Sequence, residues 1–163
     1  MTVGKLAINA KLYRNTGTYN APVLLEVPLV SDGTLTMTWD EGQADARESR
    51  VHQVVKTMAA VDYTFRLKKK PLDASYEALM DLFLSDDAAD MFFLDGPKDQ
   101  EGVRGVRFDA QLFAATEDQS LPNVLYEDMV AKPSLATNPI KAVRVNNVGT
   151  LTYKLFGTPD AFA

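Results

Sequence analysis

The chain contains no cysteine and only one histidine among its 163 residues. Neither disulfides nor thiolate metal sites can therefore form, and zinc loses its usual ligands. No apolar run approaches the roughly 20 residues that a membrane-spanning helix needs. The net charge of −5 argues against a groove that holds nucleic-acid phosphates, because such grooves concentrate Lys and Arg. These absences predict a soluble protein, folded in a cytoplasm and without a bound cofactor or membrane partner.

The length and the composition predict one globular domain covering residues 1–163. Hydrophobic residues make up 46% of the chain and charged residues 24%, values typical of a protein with an ordinary packed core. At this length the core needs no disulfide or metal to support it. The fold class that the patterns predict is mainly β, with antiparallel strands and one flanking helix.

Alternation of apolar and polar residues predicts most of the strands. The clearest cases are Leu35–Trp39, in which threonines occupy the other face, and Val61–Leu67. Asp32-Gly33 is a turn signal that separates the former from the preceding segment. The remaining predicted strands are Leu6–Leu12, Val23–Val27, Met91–Leu94, Val106–Leu112, Val124–Val130 and Ala142–Phe156, with long connections at Leu121–Asn123 and Lys132–Pro139.

One helix is predicted, from about Ala74 to Ser85, with Asp73 as its N-cap. Its apolar residues fall at the spacing i, i+3, i+4 and i+7, so a single stripe packs on the sheet. That stripe consists of Tyr76, Leu79, Met80 and Phe83. Among the aromatic residues elsewhere, those expected in the core are Trp39, Phe65, Phe92, Phe93 and Phe108.

The segment Glu41–Met58 is more polar than a core element and carries charges of both signs. The spacing of Val51, Val54, Val55 and Met58 by itself favours a short helix, whereas the β-branched valines lower helix propensity. We interpret the segment as a long extended arm that contacts another molecule. Its candidate assembly residues are Gln43, Asp45, Arg47, Glu48, Arg50, His52 and Lys56.

No catalytic or metal site is predicted. His52 has no partner expected of a general base, so a surface or interface role is favoured. Asp86, Asp87 and Asp90 lack the Gly and Glu spacing of a calcium loop and are interpreted as a solvated connector. Lys68–Lys70 is interpreted as a charged guard at a strand end, with contact to nucleic acid as the minor alternative.

A set of motifs follows in order along the chain, and they are Asn15–Tyr19, Leu35–Met37, Glu41–Arg47, Asp73–Leu84, Phe92–Pro97 and Gly105–Ala110. In this order they resemble the phage tail tube (major tail) proteins of long-tailed phages and phage-tail-like particles. The resemblance covers roughly residues 13 to 115, and the C-terminal strand more loosely. The departure is the region from Leu121 to Pro139, which is longer and richer in proline than expected.

The resemblance implies a β-sandwich or β-barrel subunit without enzymatic activity. Such subunits form rings, usually hexameric, that stack into a hollow tube through which DNA or effectors pass without specific binding. The loop equivalent to the arm reaches the neighbouring ring, and the partners are further copies of the chain together with tape-measure, terminator and initiator proteins of the tail. The implied location is the virion tail, after synthesis in the host cytoplasm.

A second hypothesis is a monomeric β-barrel that binds a small apolar ligand. It predicts a buried apolar cavity and gives the arm no role. The two hypotheses differ in whether copies of the chain associate. Unpaired strand edges on the surface would favour association, because such edges are templates for pairing.

Overall fold

The computed structural model describes residues 10–28, 30–43, 54–117, 119, 125–134, 138–159 and 161–163. Strands predominate in this part of the chain and one helix interrupts them, as the alternating patterns predicted. In order, the elements are β1 (Lys11–Asn15), β2 (Leu24–Glu26), β3 (Val30–Gln43), β4 (Val54–Lys68), α1 (Ala74–Leu84), β5 (Ala89–Leu94), β6 (Arg104–Glu117), β7 (Tyr126–Pro133), β8 (Lys141–Val145) and β9 (Leu151–Leu155).

All strands belong to one antiparallel sheet in the order β2-β1-β5-β6-β7-β4-β3, and β8 and β9 branch from β6. The branching is possible because β6 is long. Its first residues, Arg104–Arg107, pair with β8, and its later residues, Ala110–Glu117, pair with β7. The structure confirms a mainly β, antiparallel fold with one helix.

Two groups of buried side chains hold the sheet together. The inner core lies between the helix and the strands β1, β4, β5, β6 and β7. The outer cluster covers the other face of β1, β5 and β8. The largest members of the inner core are Leu12, Phe65, Leu67, Tyr76, Leu79, Met91, Phe93, Phe108 and Met129. The outer cluster contains Tyr13, Phe92, Leu94, Val103, Val143 and Val145.

The observed helix closely matches the predicted one. The Asp73 carboxylate accepts hydrogen bonds from the backbone N–H groups of Ser75 and Tyr76 at 3.1 and 3.2 Å, so it caps the first turn. Tyr76 and Leu79 are buried in the inner core, and Met80 and Phe83 pack beside them. With 11 residues, α1 does not have the length and apolar character that a membrane-crossing helix requires.

Asp32-Gly33 is not a turn, contrary to the prediction, but a bulge within β3. Two residues of β3 lie opposite Phe65 here, because the register shifts between Ser31 and Thr34. Asp32 has a positive φ of 51°. A Cβ on Gly33 would collide with the Tyr63 hydroxyl, so glycine allows this close approach. The dipeptide therefore does mark an irregularity in the chain, but it is a bend within a strand and not the end of one.

Three other predictions need correction. The stretch Ala142–Phe156 forms two strands, β8 and β9, joined by a turn in which Gly149 has a φ of 76°. Lys132 and Pro133 belong to β7 and not to a connection. Trp39 is half-buried instead of lying in the core, whereas the four predicted phenylalanines are buried.

The first strand is an interior strand. Leu12 and Tyr13 point to opposite faces and are both buried, so neither face of the described part of β1 is open to solvent along its length. Residues 1–9, which include Leu6 and Ile8, lie outside the described residues. Lys11 pairs with Glu26 on β2 at 2.8 Å. β1 itself offers no free edge for pairing with another chain, since β2 and β5 flank it.

Candidate assembly surface

The hairpin of β3 and β4 extends beyond the rest of the sheet. β4 pairs with β7 only through Tyr63–Lys68, whereas its pairing with β3 continues to Val54. We call the projecting part, Thr36–Gln43 with Val54–Asp62, the distal hairpin. Within the described residues its strands pair only with each other, so both outer edges carry backbone groups that no described strand covers. Such edges are templates for pairing with another chain.

The described part of the predicted arm is therefore β-structure. Val54, Val55 and Met58 lie in β4, so the helical spacing that favoured a short helix is misleading for these residues. The β-branched valines suit a strand better than a helix. Residues 44–53, which include Val51, lie outside the described residues.

The two faces of the hairpin differ in chemistry. Leu35, Met37 and Trp39 lie opposite Tyr63, Val61 and Ala59 and continue the core-facing side of the sheet. The other side carries four exposed threonines, which we call the threonine face: Thr34, Thr36, Thr38 and Thr64. Further along this face two charged side chains form an ion pair, in which Arg66 Nε donates to Asp128 Oδ1 at 2.9 Å.

Large apolar side chains of the distal hairpin are open to solvent. Met58 is 69% exposed, and Met37, Val54 and Val55 are each at least half exposed. Isolated exposed apolar residues are ordinary, but several on one element make it a candidate interaction surface.

A second bulge shapes the hairpin near its described end. Thr57 and Met58 of β4 both lie opposite Asp40, and the Thr57 hydroxyl donates to the Asp40 carbonyl oxygen at 3.0 Å. A Cβ on Gly42 would lie 2.7 Å from Thr57 Cγ2, so the strands approach closely here. Bulges increase local twist, so this one sets the direction in which the tip leaves the sheet.

Trp39 lies at the base of the hairpin, against the C-terminal part of the chain. It forms one wall of an open cleft of about 540 Å³, with Phe156, Gly157 and Phe162 on the other side. The Lys56 ammonium lies 5.5 Å from the centroid of the Trp39 ring, at the outer limit of a cation–π contact. The half-buried tryptophan thus links the hairpin to the body of the molecule.

The aromatic rings at the centre of the described core pack directly against each other. The rings of Tyr63 and Phe93 have centroids 4.4 Å apart, and those of Phe93 and Phe108 stack at 4.7 Å. Side chains at these separations are in direct contact. The arrangement favours the assembly hypothesis over the barrel that encloses a small ligand.

A buried ion pair fixes the loop between β1 and β2. Arg107 is 2% exposed, and its Nη2 donates to Asp90 Oδ2 at 2.6 Å and to the Tyr19 carbonyl oxygen at 2.7 Å. Its guanidinium lies 3.9 Å from the Tyr19 ring centroid and 4.7 Å from that of Phe92. Burial lowers the pKa of Arg107, but hydrogen bonding to Asp90 and its charge more than offset this, so the pKa is raised.

A second polar cluster joins the helix to the sheet. The Tyr76 hydroxyl donates to Oε1 of the buried Glu127 at 2.7 Å. Lys69 Nζ lies 2.6 Å from Glu117 Oε2 and 4.0 Å from Glu127 Oε1. Burial, and then the hydrogen bond to Glu127, raise the pKa of Tyr76. Hydrogen bonds from Lys69 and Gln119 lower the pKa of Glu117.

These contacts change the interpretation of the lysine run and of the aspartates. Lys69 and Lys70 pair with Glu117 and Asp73 next to an interior strand, so they do not guard a sheet edge. Asp90 holds Arg107. Among the residues that the structure describes, no three carboxylate or histidine side chains come close enough to hold a metal ion.

Only two of the seven candidate assembly residues lie in the part of the chain that the structure describes. Gln43 pairs with Val54, and Lys56 pairs with Glu41, near the described end of the hairpin. Asp45, Arg47, Glu48, Arg50 and His52 lie outside the described residues, and their role stays a prediction. The alternation of Thr34, Thr36 and Thr38 predicted the threonine face directly, but it indicated no role in assembly.

Comparison with known proteins relates the chain to tail structures. No protein-family model and no curated protein sequence matches it. A solved structure of the tail of an empty gene transfer agent particle, computed with C6 symmetry, has a TM-score of 0.65 and 6% identity, over 82% of this chain and 96% of that one. The SPP1 tail tube gives a TM-score of 0.63 and 10% identity, over 79% and 75% of the two chains.

The baseplate of the anti-feeding prophage is also similar. Its TM-score is 0.60 at 10% identity, over 89% of this chain and 99% of that chain. At such low identities the likeness concerns the fold, and it agrees with the resemblance carried by the sequence motifs. The chain has the fold found in phage tail tubes and related tail particles.

Proposed function

We propose that this protein is a structural subunit of a phage tail or of a phage-tail-like particle, and that copies of it assemble into a hollow tube. The observation that carries the proposal is the distal hairpin, which has two edges that no described strand pairs with and several exposed apolar residues. The similarity in fold to tail tube structures supports the same function.

The hairpin edges provide the means of assembly. The outer edge of β3 and the edge of β4 before Tyr63 lie on opposite sides of the hairpin. A neighbouring copy can add its strand at each edge through backbone hydrogen bonds. Such a contact is heterologous and closes a ring when its rotation divides the circle. The C6 symmetry used for the gene transfer agent tail supports a ring of six.

In such a ring the threonine face lines the channel. The inner core is on the opposite side of the sheet, so the threonine face is the one left open by β3 and β4. Hydroxyl groups offer DNA no fixed positive charge, and Arg66 is already paired with Asp128. Phosphates bind proteins chiefly through Lys and Arg, so DNA or an effector passes this wall without specific binding.

The tip of the hairpin contacts the next ring of the tube. Its proposed contact residues are Gln43, Asp45, Arg47, Glu48, Arg50, His52 and Lys56. The double variant Arg47→Glu and Arg50→Glu should weaken assembly more at low salt than at high salt, because exposed charges are screened beyond roughly 8–10 Å. An equal defect at both salt concentrations would indicate that packing, not charge, forms the contact.

The remaining partners follow from the proposed role. The tube surrounds a tape-measure protein and ends at initiator and terminator proteins, and the subunit is made in the host cytoplasm before it enters the virion tail. The protein has no enzymatic role in this proposal. The polar clusters around Arg107 and Glu127 instead hold the loop and the helix in place.

Electron microscopy of purified protein, alone and with tail initiator proteins, tests the proposal. Rings or tubes are the expected result. Replacing residues 43–56 by an Asn-Gly turn is the matched variant, since Gly42 and Thr57 already lie close together across the hairpin. It should keep the circular dichroism spectrum and lose stacking. Wild-type protein that stays monomeric with its initiator proteins would contradict the proposal.

A further inference from the structure

Three cationic side chains share one face of the sheet where β6, β8 and β9 pair. Arg104 lies directly opposite Arg144. Lys154 lies opposite Ala142, which comes two residues before Arg144 on the same strand. Opposite residues of paired strands point to the same face, and so do residues two apart along one strand. We call Arg104, Arg144 and Lys154 the basic strip.

The basic strip has no counter-charge of its own. Two arginines directly opposite each other repel and destabilise the strand pair that carries them. Within the described part of the chain, no ion pair involves any of the three side chains, although Glu101 lines a cleft together with Arg144. An anionic group supplied from outside would therefore relieve this repulsion.

The basic strip borders the open cleft of about 540 Å³ beside Trp39, because Lys154 belongs to both. The charged residues among the described ones that line this cleft are Lys56 and Lys154, and none is a carboxylate. The surface thus combines space for an apolar side chain with positive charge at its rim. The apolar residues of the walls are Trp39, Ala142, Leu155, Phe156 and Phe162.

The C-terminal end of α1 has the opposite character. Leu84 is 77% exposed there, and three exposed carboxylates, which lie within three residues of it, form no ion pair with other described residues. The last turn contains no basic residue. Because the C-terminal end of a helix is itself partly negative, carboxylates at this position favour the approach of a cation. We call this surface the acidic end: Asp81, Leu84, Asp86 and Asp87.

The two surfaces are separated within one copy. Gln111 Nε2 donates to the Asp86 carbonyl oxygen at 2.7 Å, so the acidic end lies beside the middle of β6, whereas Arg104 is its first residue. Seven residues of strand span roughly 23 Å. One copy therefore does not bring its own acidic end to its own basic strip, but neighbouring copies arranged head to tail can do so.

Neither surface belongs to the threonine face. Val106 follows Arg104 by two residues, shares its face and lies in the inner core, and α1 packs on the same core. The basic strip is therefore on the side of the sheet opposite to the proposed channel wall. DNA inside the channel would not reach it.

We propose that the acidic end of one copy binds the basic strip of a neighbouring copy, with Leu84 in the cleft beside Trp39. The partner is a second copy of this chain. Charge selects it, because unpaired carboxylates around an exposed leucine meet unpaired cations around an apolar cleft. The inference rests on the proposed function and adds to it a pair of surfaces distinct from the edges and the tip of the hairpin.

Charge reversal with rescue tests the pairing. Arg104→Glu with Arg144→Glu should raise the critical concentration for assembly about tenfold or more at low salt, and by less at high salt. Asp86→Lys with Asp87→Lys should have the same effect. Combining all four substitutions in one chain restores opposite charges across the contact, so assembly should recover.

The matched control for the arginine reversal is Lys68→Glu with Lys132→Glu. It changes the net charge equally at two exposed lysines outside the basic strip, so the critical concentration should stay unchanged. Circular dichroism and melting temperature establish that each variant is folded. Unaltered assembly in both reversals, or no recovery in the combined variant, would overturn the inference. So would an arginine reversal that loses binding to a duplex oligonucleotide and still assembles normally.

Disulfide trapping tests the position of the leucine, because the chain has no cysteine of its own. Thr158 lines the cleft, so Leu84→Cys with Thr158→Cys should form a ladder of covalent oligomers when assembled protein is oxidised. The control is Leu72→Cys with Thr158→Cys, since Leu72 is 95% exposed at the other end of α1. It should give no ladder.

The outcomes separate this inference from the proposed function. Tubes without a ladder would overturn the contact at Leu84 and leave the tube intact. A ladder in soluble oligomers that never form tubes would support the contact and contradict the tube. The absence of any ladder in concentrated protein would likewise overturn the contact.

Discussion

The body of the molecule and the distal hairpin differ in what covers their apolar side chains. Met91 and Phe92 in the body are completely buried, whereas Met58 and Val54 in the hairpin are more than half exposed. Both regions are antiparallel sheet, and in the hairpin the pairing continues beyond the bulge opposite Asp40. The body is thus stabilised by its own core, whereas the hairpin depends more on backbone pairing and its apolar side chains are exposed to solvent.

The comparison extends to the charged residues. In the body, the buried Arg107 donates to Asp90, and the buried Glu127 accepts a hydrogen bond from Tyr76. In the hairpin, Glu41 and Lys56 lie exposed on paired strands near its end. Substitutions in the body should therefore change stability, and substitutions in the hairpin should change assembly.

The largest expected effect is that of Asp90→Ala, which removes the partner of the buried Arg107. A buried charge left alone costs about 3–5 kcal/mol of unfolding free energy. Urea unfolding measures this change. Asp87→Ala, an exposed neighbour, is the control and should stay within about 0.5 kcal/mol of wild type. Equal stability of the two variants would show that the ion pair contributes little.

A smaller loss of unfolding free energy is expected for Tyr76→Phe, which removes only the hydroxyl that donates to Glu127. Leaving a buried acceptor without its donor costs about 1–3 kcal/mol. Combining it with Glu127→Gln completes a double-mutant cycle, and a coupling energy above about 0.5 kcal/mol is expected for residues in contact. Strict additivity of the two substitutions would argue against this hydrogen bond.

The pH dependence of stability tests the Lys69–Glu117 pair. The pKa of Glu117 is lowered in the folded state from its ordinary value of 4.5. The pair therefore stabilises the fold fully above the unfolded pKa, and this contribution is lost as the pH falls through the folded pKa. Between pH 5 and about pH 3, wild type should lose more stability than Glu117→Gln. Parallel pH profiles would contradict the assignment.

The smallest effect on stability is expected in the hairpin itself. Val55→Thr with Met58→Thr replaces exposed apolar groups, so the unfolding free energy should change by less than about 0.5 kcal/mol. Assembly, followed by light scattering, should nevertheless be impaired, because the contact surface loses its apolar groups. Val148→Thr, at an equally exposed site in the β8–β9 turn, should change neither property.

Much of the body could be predicted from the sequence, since alternation and helical spacing reflect which side chains are buried. Asp73 and the stripe from Tyr76 to Phe83 are examples. The strand role of Val55 and Met58 could not be predicted this way, because an element that the core does not cover has no reason to alternate. The prediction of a turn at Asp32-Gly33 was wrong for another reason, since a turn dipeptide and a bulge use the same backbone conformations.

The candidate assembly surface could be predicted from the sequence only in outline. Charge along Glu41–Met58 indicated an arm, but not that its described ends continue β3 and β4 beyond the rest of the sheet, because strand order cannot be read from charge.

The pairing of β4 with β7 has a mechanical consequence. Six residue pairs, from Tyr63–Ala131 to Lys68–Tyr126, connect the projecting hairpin to the rest of the sheet. A tensile load along the hairpin runs parallel to these strands, so it shears all six pairs at once instead of peeling them apart one by one. A tube in which the hairpins lie along the axis would therefore resist stretching through all six pairs together.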